Sequence, residues 1–119
     1  MKIFLVDDEP VSNIITRRIF RQINPDLEIF AYTDPAIAFR ELKNANPQLI
    51  FLDINMPGLS GWDFLDKMIE DSMKYKVFML SSSVSEYDQN KAAEYSNVID
   101  LIQKPTPKEV LQRCLEILV

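Results

Sequence analysis

The sequence LIFLDINMPGLSG, residues 49–61, contains the signals that decide the fold. Four consecutive apolar residues, from Leu49 to Leu52, precede Asp53, and the pair Pro57 and Gly58 follows shortly after. A short run that is apolar at every position is typical of a strand covered on both faces, as in a parallel sheet. Proline followed by glycine indicates a turn. This stretch therefore predicts a buried parallel strand that ends at a carboxylate and leads into a loop.

Four further apolar segments predict strands elsewhere in the chain. The five predicted strands span residues 3–6, 27–32, 49–52, 77–80 and 98–102. The first, third and fourth are continuously apolar, which again favours parallel strands covered on both faces.

The segments between these strands show helical periodicity. The pattern is clear in four of the five segments. It is weakest in the remaining one, residues 84–95, which is the fourth along the chain. The predicted apolar stripes are Val11, Ile14, Ile15, Ile19 and Ile23; Ala38, Phe39, Leu42 and Ala45; Trp62, Leu65, Met68 and Ile69; and Leu111, Cys114, Leu115 and Leu118. Ser60 and Thr106 are predicted helix N-caps, and Glu109 stands at the capping-box spacing from Thr106. The alternation predicts an α/β domain with a parallel sheet, right-handed crossovers and helices on both faces.

The composition excludes several classes of active site. The 119 residues suffice for one domain, residues 1–119, with the 47% hydrophobic and 26% charged content of a globular protein. Because the chain has no histidine, a Ser-His-Asp triad or a His-ligated metal site within it is excluded. The single cysteine, Cys114, excludes an internal disulfide and fits a cytoplasmic location. The net charge of −5 argues against nonspecific nucleic-acid binding, and no apolar run is long enough to span a membrane.

Polar side chains follow four of the predicted strands. Asp7 and Asp8 follow the first strand, Asp53 the third, Ser81 the fourth and Lys104 the fifth. In an open parallel sheet, ligands bind at the carboxyl ends of the strands, where the strand order reverses. A strand order of 2-1-3-4-5, assumed at this point, would bring the three aspartates together.

Converging carboxylates repel one another unless one is protonated or a cation neutralises them. A set of oxygen ligands suits Mg²⁺ or a similar hard ion, which often bridges to a phosphate. A carboxylate beside such an ion can attack phosphorus and become an acyl phosphate, while an ammonium and a hydroxyl stabilise the phosphoryl oxygens. The set Asp7, Asp8, Asp53, Ser81 and Lys104 contains each of these groups.

Four motifs, each at a predicted strand end, make the chain resemble the receiver domains of two-component response regulators, the CheY-like family. They are FLVDDEP at 4–10, LDINMPGLSG at 52–61, FMLS at 78–81 and QKP at 103–105. The resemblance covers essentially the whole chain. It implies a (βα)₅ flavodoxin-like fold whose five-stranded parallel sheet has the order 2-1-3-4-5.

The resemblance also implies a phosphorylation site. Asp53 resembles the aspartate that accepts a phosphoryl group from a phosphohistidine of a sensor histidine kinase or histidine phosphotransfer protein. Ser81 and Lys104 resemble the residues that contact the phosphoryl oxygens, and the bond between Lys104 and Pro105 is expected to be cis.

A divalent cation, Mg²⁺ or Mn²⁺, is the cofactor that the resemblance implies. The carboxylates of Asp8 and Asp53 and the backbone carbonyl of Asn55 would bind the ion directly. Asp7 would contact it through water.

The chain departs from the family pattern at two places. Leu101 stands where the family usually has an aromatic switch residue, three positions before Lys104. Counting back from Lys104 favours Ser82 as the phosphoryl contact, whereas the end of the apolar strand favours Ser81. We prefer Ser81 and expect one extra residue around 96–97, where most relatives have a glycine turn.

The expected function is a signalling switch and not an enzyme beyond self-phosphorylation and autodephosphorylation. With no effector segment after the fifth helix, output is expected through an unidentified protein partner, unless the chain is a fragment. The family implies readout at the fourth helix, fifth strand and fifth helix, by a monomer or a weak phosphorylation-dependent dimer. Two alternatives are an interaction module that has lost phosphorylation, motivated by Leu101, and a phosphatase. The second lacks its general acid, since Asn55 occupies that position.

Overall fold

A computed structural model describes residues 1–117 as five strands and five helices in strict alternation. The strands are β1 (Lys2–Val6), β2 (Glu28–Tyr32), β3 (Leu49–Asp53), β4 (Lys76–Ser81) and β5 (Val98–Gln103). The helices are α1 (Pro10–Ile23), α2 (Pro35–Ala45), α3 (Gly61–Glu70), α4 (Glu86–Ala92) and α5 (Lys108–Glu116). All five predicted strands are present, to within two residues at each end. Leu118, predicted to extend the stripe of α5, lies outside the described residues.

All strand pairs are parallel, and the order is β2-β1-β3-β4-β5. This confirms the predicted flavodoxin-like α/β fold. Because β1 lies between β2 and β3, the chain reverses its direction of winding at β1 and β3, which is where such sheets bind ligands.

Two apolar cores cover the two faces of the sheet. Successive residues of β1 and β3 point to opposite faces, as strand geometry requires. Ile3 and Phe51 belong to the core beneath α1 and α5, whereas Phe4 and Leu52 belong to the core beneath α2 and α3. Cys114 is buried in the first core, as predicted, and burial raises the pKa of its thiol to about 12.

Helix α1 corrects the predicted apolar stripe. Val11, Ile14 and Ile15 are 65%, 57% and 52% exposed, and the buried positions of the helix are instead Asn13 and Phe20. Ile19 is half-buried against the core. Asn13 is turned toward the sheet, where its side-chain amide donates to the backbone carbonyls of Asp7 and Tyr32.

One of the two predicted N-caps is confirmed. The Ser60 hydroxyl accepts a hydrogen bond from the amide of Asp63, whose carboxylate accepts one from the Ser60 amide, forming a capping box. Thr106 is not a cap, because α5 begins one residue later than expected, with Pro107 at the N-cap position. The Thr106 hydroxyl instead donates to the carbonyl of Gln103.

Candidate functional site

Three strands deliver the charged residues to one edge of the sheet. Asp53 is the last residue of β3, Asp7 follows β1 directly, and Lys104 follows β5 directly. Since β1 and β3 are paired, Val6 lies beside Leu52, and the residues after them, Asp7 and Asp53, emerge side by side. The sheet order therefore produces the convergence that the sequence analysis assumed.

Lys104 lies between the two buried carboxylates. Its Nζ is 3.0 Å from Asp7 Oδ2 and 3.2 Å from Asp53 Oδ2, and all three side chains are mostly shielded from solvent. Glu9 Oε1 is 3.9 Å from the same ammonium but is exposed. The bond between Lys104 and Pro105 is cis, as the resemblance implies.

Four carboxylates converge at this edge. One oxygen from each of Asp7, Asp8, Glu9 and Asp53 lies within 4.8 Å of the others. An all-oxygen donor set of this density suits a hard divalent cation such as Mg²⁺. Asn55 is exposed, and its backbone amide donates to Asp53 Oδ1 at 3.3 Å.

Burial and the neighbouring charge separate the pKa values of the two central carboxylates. Burial, followed by the charge of Asp7, raises the pKa of Asp53 from 3.8 to about 6, against the opposing effect of Lys104. Burial also acts to raise the pKa of Asp7. Hydrogen bonds from the Glu9 amide, Ser12 and Lys104 outweigh it and hold that pKa below its ordinary value. A site in which one carboxylate ionises at a cost favours a bound cation.

The Lys104 ammonium responds to the same neighbours. Burial alone would lower its pKa, but the hydrogen bond to Asp7 and the charge of Asp53 raise it above the ordinary value. Lys104 is therefore a permanent cation in this site at neutral pH.

Ser81 is the last residue of β4 and is 1% exposed, whereas Ser82 is exposed. The Ser81 hydroxyl donates to the carbonyl of Ser83 and accepts from its amide. The amide of Lys104 donates to the Ser81 carbonyl at 2.8 Å, which ties the two residues together across the sheet.

An irregularity in β5 explains the long interval between Ser81 and Lys104. Val77 pairs with Val98, but the next residue of β4, Phe78, pairs with Asp100. Ile99 is thus an extra residue, as in a β-bulge. It lies just beyond residues 96–97, where the sequence analysis expected it.

A leucine occupies the position where the family usually has an aromatic switch residue. Leu101 is half-buried against the second core. Nearby, the rings of Trp62 in α3 and Tyr95 after α4 stack with centroids 5.8 Å apart, and the Tyr95 hydroxyl donates to Asp66 at 2.8 Å. Aromatic contact between α3 and the end of α4 is therefore made by these residues and not by residue 101.

Gly61 places the start of α3 directly against the site. A Cβ at this position would lie 2.5 Å from the Asp53 carbonyl oxygen and 2.9 Å from Ile54 Cα. The Gly61 amide donates to the Ile54 carbonyl at 2.8 Å. Only glycine allows this close approach of helix to strand.

The sequence analysis did not single out Asn13, a residue of α1 that contacts the backbone of Asp7. Its side-chain amide donates to the backbone carbonyls of Asp7 and Tyr32. The available signal was an asparagine inside an otherwise helical, apolar segment, where asparagine is unfavourable.

Residues 3–116 match the response regulator receiver domain. The chain belongs to this family. The receiver domain therefore functions in phosphorelay signalling, and both its fold and its motifs agree with that membership. Within residues 1–117, no helix is long and apolar enough to cross a membrane.

Curated relatives of this receiver domain are longer proteins. A cyclic di-GMP phosphodiesterase response regulator of Xanthomonas campestris is 28% identical over 99% of the chain, which covers 32% of that relative. A protein-glutamate methylesterase/protein-glutamine glutaminase of Leptospira interrogans is 31% identical over 88% of the chain and 30% of the relative. The chain thus spans about a third of the length of these relatives.

Solved structures show the same architecture. A two-component response regulator from Cytophaga hutchinsonii is 28% identical, with a TM-score of 0.87 over 98% of this chain and 95% of that one. A chemotaxis protein of Vibrio cholerae, at 20% identity, has a TM-score of 0.85 over 99% and 98% of the two chains, and shares the fold.

Proposed function

We propose that Asp53 is the phosphoacceptor of this receiver domain. The observation that carries the proposal is the position of Lys104 Nζ between Asp7 and Asp53, at 3.0 and 3.2 Å. This arrangement holds one cation where a phosphoryl group on Asp53 would develop negative charge. Ser81, buried at the end of β4, is the proposed second contact to the phosphoryl oxygens.

The proposed reaction transfers a phosphoryl group from a donor phosphohistidine. A carboxylate oxygen of Asp53 attacks phosphorus, and an O–P bond forms as the P–N bond breaks. The imidazole leaves with the bonding electrons and takes a proton from solvent. Since the 119 residues include no histidine, the donor is a different protein or region: a sensor histidine kinase or a histidine phosphotransfer protein.

A Mg²⁺ or Mn²⁺ ion is the proposed cofactor. Asp8, Asp53 and the Asn55 carbonyl would bind it, with Asp7 contacting it through water. The ion would supply charge compensation to the transferring phosphoryl group. The four converging carboxylates support this assignment.

The exposed apolar residues of α1 support the proposed partner. Val11 and Ile15 line a groove of about 360 Å³ together with Lys104 and Pro105. Exposed apolar groups beside a reactive site suit a protein surface better than a small molecule. A phosphohistidine presented on such a surface would reach Asp53 from this side.

Residues 1–119 are proposed to act as one receiver domain in the cytoplasm, as a monomer or a weak phosphorylation-dependent dimer. Phosphorylation would shift the population of two surface states, read at α4, β5 and α5 by a protein and not by nucleic acid. The domain is not proposed to turn over any substrate beyond its own phosphoryl group.

The experiment is incubation with acetyl phosphate and Mg²⁺, followed by mass spectrometry of the intact protein. We expect one phosphoryl group on the wild type and none on Asp53→Asn. Beryllofluoride, which mimics a phosphoryl group by coordinating a carboxylate oxygen, would change the fluorescence spectrum of the wild type but not that of the variant. Absence of both responses would favour a binding module that has lost phosphorylation, the alternative that Leu101 motivates.

A further inference from the structure

Asn13 is a buried polar side chain at the first turn of α1, with 6% of its surface exposed. Its Nδ2 is 3.0 Å from the Asp7 carbonyl oxygen and 3.1 Å from that of Tyr32. The Asp7 amide also donates to the Tyr32 carbonyl, at 3.1 Å. Both hydrogens of the side-chain amide are thus engaged, and they join the carboxyl ends of β1 and β2.

The Asp7 carbonyl belongs to the peptide bond that joins Asp7 to Asp8. Because a peptide bond is planar, holding this oxygen sets the orientation of the whole unit, including the start of Asp8. Asp7 is held on one side by Lys104 through its carboxylate and on the other by Asn13 through its backbone. Asp8, in contrast, is half-exposed, and the orientation of the preceding peptide bond sets the position of its backbone.

A buried asparagine in a helix is costly unless its hydrogen bonds repay the desolvation of its amide. An apolar residue at position 13 would extend the core that Phe20 joins about two helical turns later on the same helix. The amide is instead directed at a peptide bond that joins two of the four residues whose carboxylates converge.

We propose that Asn13 is a positioning residue for the divalent-cation site, because it orients the Asp7–Asp8 peptide so that both carboxylates face Asp53. The proposal rests on the cation site of the proposed function. Hydrogen bonds that orient metal ligands typically change metal affinity by 10- to 100-fold. Asn13 acts on the ion only through Asp7 and Asp8.

The test is the Mg²⁺ dissociation constant, measured by titration calorimetry at neutral pH. Asn13→Leu keeps the branched shape of the side chain in a somewhat larger, apolar form and removes its donors, and Asn13→Ala removes both the shape and the donors. We expect either variant to weaken Mg²⁺ binding about tenfold. Hydrogen exchange of the Asp7 amide should become faster, because its acceptor at Tyr32 loses a second anchor.

Asn97 offers a matched control at the opposite edge of the sheet. Its side-chain Nδ2 donates to the Tyr75 carbonyl at 3.3 Å, and its backbone carbonyl accepts from the amide of Val77 at the start of β4. Asn97→Leu and Asn97→Ala should lower the free energy of unfolding in urea and leave Mg²⁺ affinity unchanged.

The outcomes separate this proposal from the proposed function. Weaker Mg²⁺ binding in the Asn13 variants alone supports positioning. Unchanged affinity overturns it while leaving Asp53 as phosphoacceptor, and equal weakening in the Asn97 variants overturns it as general loosening. Wild-type protein that binds no Mg²⁺ refutes the cation site itself. If neither Asn13 variant folds, the amide serves stability and the positioning role is rejected.

Discussion

The ammonium of Lys104 lies 3.0 Å from Asp7 Oδ2 and 3.2 Å from Asp53 Oδ2, so a single cation separates two carboxylates that are almost fully buried. The two aspartates are held close together, because they follow paired residues of the neighbouring strands β1 and β3. We therefore expect the stability and the reactivity of the receiver domain to depend on the same three side chains.

Lys104→Met should destabilise the fold by about 3 kcal/mol at neutral pH, because it leaves two buried carboxylates without their cation. Urea unfolding measures the change. Added Mg²⁺ should restore more stability to this variant than to the wild type, since no ammonium opposes the ion. Lys76→Met, at an exposed position of β4, is the control and should behave as wild type. Equal Mg²⁺ effects in all three proteins would contradict the predicted competition.

Asp53→Asn should stabilise the protein above pH 6 and not below about pH 4. The folded-state pKa of about 6 exceeds the ordinary 3.8, so the folded state retains its proton to higher pH than the unfolded chain. The wild type thus loses stability as pH rises through this window, by an amount on the order of 2–3 kcal/mol. Asparagine does not titrate and avoids this loss.

Urea unfolding across pH 4 to 8, compared with that of the wild type, measures the Asp53→Asn effect. The exposed Asp26→Asn is the matched control for the loss of a carboxylate at the surface. A constant difference for Asp53→Asn would show that burial does not raise the pKa of Asp53.

Gly61→Ala should displace Asp53, because the added Cβ has only 2.5 Å to the Asp53 carbonyl oxygen. We expect a loss of about 1–3 kcal/mol in unfolding free energy and slower phosphorylation by acetyl phosphate. Gly58→Ala is the control: its Cβ has open space, but its φ of 83° adds backbone strain. A normal phosphorylation rate in Gly61→Ala would show that α3 can move without disturbing the site.

Ser81→Ala and Ser82→Ala distinguish the two candidate phosphoryl contacts. Ser81 is buried beside the amide of Lys104, whereas Ser82 is exposed. Loss of the proper hydroxyl should slow phosphorylation by acetyl phosphate about tenfold or more. We expect this for Ser81→Ala and little change for Ser82→Ala. The reverse result would assign the contact to Ser82. The interval to Lys104 would then predict the phosphoryl contact better than the end of the apolar strand does.

Tyr95→Phe should lower the free energy of unfolding by about 1 kcal/mol, because it removes the hydrogen bond to Asp66. Asp66→Asn tests the same contact from the other side. If the two residues interact as the structure shows, the double variant should be less destabilised than the sum of the single ones, by about 0.5 kcal/mol or more. Full additivity would mean that the contact contributes nothing to the link between α3 and α4.

Most of the candidate site could be predicted from sequence because parallel strands all end at one edge. Asp53 and Ser81 are the last residues of their strands, so recognising the apolar runs was sufficient to place them. The same reasoning does not extend to α1. Its apolar residues at positions 11 and 15 repeat at helical spacing, yet they face solvent. Periodicity shows that a helix has an apolar stripe, but not whether another element covers it.

By itself, the sequence determined the order of elements, the parallel sheet and the identity of the polar residues at the strand ends, because these depend on local patterns of apolar residues and turns. The strand order followed only from the resemblance, and the tertiary structure decided the pairing of β1 with β3, the position of the extra residue at Ile99 in β5, and the inward turn of Asn13 to the Asp7 carbonyl. Each of these depends on contacts between segments distant in the chain. Their energies come from pairing and packing, which no local pattern of residues records.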